Sequence, residues 1–157
     1  MGKRKRKLCP GDVFAIPITI GYGLFQYVEV GKNNIELVRV LRTVIPAISD
    51  FSPEMCMEKE RYYIRMLVAS AEFSGLIQFI DSYPLPDSAA VPRAYRSLVY
   101  VPQRNIRDWY LVDHETWKRV RMDDPDEAFF QLSPAGIWNA DLLRMRLEEN
   151  WSLENWR

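Results

Sequence analysis

Asp123, Asp124, Asp126 and Glu127 form the densest group of carboxylates in the chain. Such a group can hold a hard cation, work as acid and base, or present negative charge to a basic partner. The spaced Asp or Asn ligands, mid-loop glycine and terminal Glu of a calcium loop are missing here. No two of these carboxylates are marked as the pair that glycoside hydrolysis needs. Two readings remain: a helix start with Asp124, Pro125 and Glu127 at the N-cap, N1 and N3 positions of a capping box, and a surface that meets a basic protein. Glu148 and Glu149 are the further candidates for that partner surface.

Other chemistry is thin. His114 is the single histidine and lies between Asp113 and Glu115 in an expected turn, where turn chemistry accounts for it as well as a general-base role does. Cys9 and Cys56 are the two cysteines, with no Cys-x-x-Cys spacing, and read as reduced structural thiols. Gly21-x-Gly23 lacks the third glycine and the strand–turn–helix setting of a phosphate loop. Trp109, Tyr110 and Trp117, with Lys118, Arg119 and Arg121, could offer stacking and phosphate contacts to a nucleic acid. Aromatic and charged residues alternating on a hairpin also arise when one face is core and the other solvent. No catalytic residue, metal or cofactor is assigned from these motifs.

The elements that must position these residues follow from patterning. Asp12–Ile18 alternates as a strand with Phe14, Ile16 and Ile18 on one face, and Pro17 requires an edge or a bulge there. Gly21-Tyr22-Gly23 reads as a turn, followed by strands Leu24–Val30 and Ile35–Arg42 joined through Gly31-Lys32-Asn33-Asn34. Ser52-Pro53-Glu54 opens a short helix. Tyr62–Ala69 and Leu76–Ile80 read as strands, and Pro84, Pro86 and Pro92 mark an irregular loop. Leu98–Pro102, Trp109–Asp113 and Trp117–Met122 complete the strands, and Asn139 caps a final helix to about Asn150 with Leu143, Leu147 and Trp151 on one stripe. The expected class is α+β: a strongly curled antiparallel sheet or small barrel-like body, a C-terminal helix and one or two short helices.

Size and charge bound the rest. With 157 residues, 48% hydrophobic and 27% charged, the chain reads as a basic flexible leader over residues 1–8 and a single domain over 9–157. The 21 basic and 21 acidic residues cancel, but Lys3, Arg4, Lys5, Arg6 and Lys7 cluster at the start. From residue 8 onward 16 basic residues face 21 acidic ones, so the body is mildly acidic. Pro10, Gly11 and Asp12 interrupt any secretory apolar region, and no apolar run reaches the roughly 18 residues of a membrane span. The expected location is the cytoplasm.

Gly11-Asp12-Val13-Phe14-Ala15-Ile16-Pro17-Ile18, then Gly21-Tyr22-Gly23 and Phe25-Gln26-Tyr27-Val28, resemble the opening of the immunity protein 26 family. Pro84-Leu85-Pro86 and Trp109-Tyr110-Leu111-Val112-Asp113 extend the similarity along the chain. The resemblance implies a small bacterial protein, encoded beside a polymorphic toxin, that protects its producer by binding that toxin. It implies no catalytic motif. Charge, apart from the resemblance, adds a partner expectation: a basic, nucleic-acid-targeting toxin met by an acidic face of Asp123, Asp124, Asp126, Glu127, Glu148 and Glu149. The alternative is a nucleic-acid-binding module that uses the basic leader and the Trp109–Arg121 hairpin.

Overall fold

The structure, a computed structural model, describes residues 6–157. Its elements are β1 (Asp12–Ile18), β2 (Gly21–Val30), β3 (Glu36–Val40), β4 (Tyr62–Met66), α1 (Val68–Phe73) and β5 (Gln78–Ser82). There follow β6 (Ala94–Val101), β7 (Ile106–Asp113), β8 (Arg119–Met122), α2 (Glu127–Phe130), β9 (Ile137–Trp138) and α3 (Ala140–Glu148). Short 3₁₀ turns include Pro53–Met57, with proline in first position as expected, but the Ser52 side chain bonds the Glu54 carboxylate and makes no cap bond.

Two sheets form. The larger runs β5-β1-β2-β3-β4-β9, antiparallel throughout except for the parallel β4–β9 pair. The smaller runs β6-β7-β8. The larger ladder ends on two different edge strands, so the class is α+β with open sheets, and the expected closure into a barrel does not occur. The mixed faces that prompted that expectation have another cause: both faces of the large sheet are covered. Phe14, Tyr27, Val38, Ile64 and their neighbours pack beneath Leu143 and Leu147 of α3. On the opposite face, Val13, Ala15, Leu24 and Cys56 form one cluster, and Val28, Leu37 and Tyr63 form another with Tyr95 and Val112 of the small sheet.

Pro17 sits where its missing N–H costs nothing. The β5 ladder covers β1 from Asp12 to Ala15 and stops short of exposed Pro17. Gly21-Tyr22-Gly23 belongs to β2 rather than to a turn, because Ile18 pairs with Gly21 and leaves Thr19-Ile20 as the hairpin loop. Gly23 lies beneath α3: a Cβ there would meet the tip of the Leu147 side chain, which would have to shift to make room. Tyr62–Ala69 is strand only to Met66, and Val68 starts α1; an apolar run of that length does not separate strand from helix. Leu76–Ile80 becomes Gln78–Ser82, and β6 and β7 start earlier than their apolar stretches do.

Of the basic leader, Lys3, Arg4 and Lys5 lie outside the described residues. Arg6 ion-pairs with buried Asp12 at 2.9 Å and stacks 3.7 Å over the Phe79 ring. At the other end, buried Arg96 donates to the carbonyl oxygens of Leu132, Leu153 and Trp156 at 3.0, 2.7 and 2.7 Å, which ties the C-terminal segment to the small sheet. Among the described residues no helix is long and apolar enough to cross a membrane.

Candidate functional site

The acidic group occupies the connection from β8 to α2. Its entry is fixed by the β7–β8 ladder, in which Trp109 pairs with Met122. Its exit is fixed by a helix cap, and the cap differs from the expected one. Asp126, not Asp124, is the N-cap: its Oδ1 accepts from the Phe129 amide at 2.9 Å. Proline at position 125 therefore precedes the cap instead of opening the helix. Phe129 and Phe130 pack edge-on to Trp109, which anchors the helix to the small sheet. The result is a short acidic loop held rigidly at both ends.

Four of its side chains face water. Asp123 is 88% exposed and lies 3.8 Å from Arg121, while Glu127 is 75% exposed and paired bidentately with Arg157 at 2.7 Å. The Arg157 hydrogen bonds hold the Glu127 carboxyl below its ordinary value. Asp124 is exposed and Asp126 uses one oxygen for its cap. Glu148 and Glu149 end α3 and are engaged elsewhere. Glu148 Oε1 accepts from the Thr19 amide and hydroxyl at 2.9 and 2.8 Å, while Glu149 pairs with Arg146 at 3.3 Å.

The aromatic and basic residues of the β7–β8 hairpin do not form one stacking face. Trp109 is 9% exposed and is enclosed by Phe129, Phe130 and Trp156. Tyr110, its neighbour along the strand, points to the opposite face and pairs with Arg121. Arg121 is in turn bound to Asp108 at 3.0 Å. Trp117, at φ 60°, ends the turn and takes the Arg65 guanidinium over its ring at 5.0 Å.

His114 sits where the two sheets meet. Arg65 Nη2 donates to its Nδ1 at 3.1 Å, and the Tyr95 hydroxyl stands 2.8 Å from the same nitrogen. A guanidinium has no acceptor, so Nδ1 carries the lone pair and Nε2 carries the proton, directed at Glu29 Oε1 3.2 Å away. This chain of contacts ties β2 and β4 to β6 and the β7–β8 turn. Burial pushes the Tyr95 phenol up to about 12, so it stays a neutral partner. The one lone pair a base would use is already committed, and the geometry accounts for His114 as an inter-sheet tie. The sequence could not reveal this, because all its partners lie far away along the chain.

Among the described residues, no three His, Cys, Asp or Glu side chains converge in a way that could hold a metal ion. Cys56 is buried and Cys9 exposed, both free. Comparison with family models, curated proteins and solved structures returned no match.

Proposed function

We propose that the chain is an immunity protein: it binds a cognate bacterial toxin in the cytoplasm and blocks it by occupying its working surface, without turning over a substrate. The observation that carries this reading is the acidic loop. Asp123, Asp124 and Glu127 stand exposed on a segment whose two ends are fixed by a sheet ladder and a capped helix. Charges held in place need no ordering when a partner arrives, so their field is expressed in the encounter itself. A toxin that acts on nucleic acid presents a basic groove, and an acidic, rigid projection steers toward it and fills it. The similarity of Gly11–Val28 to the immunity protein 26 family supports the same reading. Glu127 shares its charge with Arg157, and Asp126, Glu148 and Glu149 add negative charge while also serving the fold.

The test is to change Asp123, Asp124 and Glu127 together to Lys and follow association with the toxin at several salt concentrations. The expected result is an association rate lower by about ten-fold or more at low salt, with a shallower salt dependence. An unchanged rate and slope would remove these residues from the interface.

A further inference from the structure

A second surface is built to receive something. Between the 3₁₀ turn Pro53–Met57 and the segment Tyr83–Asp87 lies a cavity of about 420 Å³. Its two walls are braced from below by one buried pair, Gln26 and Arg39, each 0% exposed. Arg39 Nη1 donates to the Cys56 carbonyl at 2.8 Å and Nη2 to the Glu58 carbonyl at 2.6 Å, which holds the first wall. Gln26 Nε2 donates to the Tyr83 carbonyl at 2.8 Å, which holds the second. Arg39 Nη1 also donates to Gln26 Oε1 at 2.9 Å, so the walls share one brace. A partner entering here finds the groove already formed and loses little in ordering it.

The lining states what fits. Tyr83 and Leu85 from one wall and Pro53 and Met57 from the other give an apolar interior, and Met57 is 64% exposed. Cys56 adds a thiol that burial pushes up, so it is neutral. The charged residues of the lining are two carboxylates, Glu54 and Asp87. Glu54 accepts from the Ser52 hydroxyl, which holds its carboxyl below the ordinary value and keeps it anionic at neutral pH. An apolar cleft bordered by negative charge is complementary to a bulky apolar side chain beside a cation, and repels an acidic segment.

We propose that this groove is an anchor site for a protein segment that presents a large apolar side chain flanked by Lys or Arg. The inference does not depend on the partner being a toxin, and it uses none of the residues of the acidic loop. The apolar side chain enters between Tyr83, Leu85 and Met57, while the flanking cations meet Glu54 and Asp87.

The experiment uses the full chain and three fluorescein-labelled peptides: Gly-Lys-Lys-Phe-Lys-Lys-Gly, the same with Ser for Phe, and the same with Glu for every Lys. Anisotropy should show saturable binding of the first, weakened about ten-fold or more by either change. Leu85→Gln should weaken the first peptide similarly. Glu54→Gln with Asp87→Asn, exposed changes that leave the packing alone, should weaken it and flatten its salt dependence. Equal binding of all three peptides, undiminished binding by the variants, or no saturable binding of the first peptide up to roughly 1 mM would overturn the proposal. The Asp123, Asp124 and Glu127 variant should bind this peptide as the unaltered chain does, which separates failure here from failure of the acidic loop.

Discussion

Gln26 and Arg39 face each other across β2 and β3 and are joined by a 2.9 Å hydrogen bond in the interior. A buried cation is costly unless most of its donors are occupied. Arg39 occupies both terminal nitrogens, with Gln26, the carbonyls of Cys56 and Glu58, and Glu60 at 3.3 Å, while its buried Nε has no hydrogen-bond partner. The pair lies on the face of the large sheet away from α3 and links the strands to two loops.

Removing either partner should therefore cost stability well beyond a surface change. Arg39→Met leaves the Gln26 amide oxygen and two carbonyls without their donor, and about 3–5 kcal/mol of unfolding free energy should be lost. Gln26→Leu should cost about 1–3 kcal/mol, since Arg39 keeps its other acceptors. The double change should cost less than the sum, because both single changes break the same bond. Denaturant unfolding measures all three, and losses within about 0.5 kcal/mol of zero would contradict the network.

Helix capping separates Asp126 from Asp124. Asp126→Ala removes the acceptor of the Phe129 amide and should cost about 1 kcal/mol. Asp124→Ala, at an exposed position without a cap bond, should stay within about 0.5 kcal/mol. The reverse order in thermal or denaturant unfolding would restore the cap position that the sequence pattern favours.

The acid loop shows how far the sequence could be read. Asp-x-Asp-Glu announces a helix start, but with acids at 124, 126 and 127 the first turn can begin at either aspartate, and packing of Phe129 and Phe130 on Trp109 decides it. Asn139, by contrast, is followed at once by helix formers and an apolar stripe, and it is the cap expected, its Oδ1 accepting from Leu142 at 2.8 Å. β1 was legible with its bounds because alternation from Val13 to Ile18 leaves one strand register. Gln26 and Arg39 were not: polar residues in a strand read as solvent-facing until the partner sheet and loops that cover them are known. His114 was likewise legible as a turn residue but not as a tie, since Glu29, Arg65 and Tyr95 converge only through tertiary pairing.

Alkaline pH should report the buried tyrosines. Burial pushes Tyr62, Tyr63 and Tyr95 up to about 12 from an ordinary 10, so the native state holds their protons where the unfolded chain has released them. Their contribution to stability is full below pH 10 and falls as pH rises toward about 12. Phenolate absorbance should therefore rise in two phases, with these three ionising late or on unfolding. A single phase centred near pH 10 in the folded protein would contradict their enclosure.

The central claim is that this chain works by obstructing another protein. It is tested most directly by looking for a toxin domain encoded in a neighbouring reading frame, mixing it with the purified chain, and measuring both the affinity and the toxin's activity. The account predicts a one-to-one complex with a Kd of about 1 μM or tighter and loss of toxin activity in proportion to the complex formed. A toxin that stays fully active in excess of this chain, with no complex detected, would contradict it.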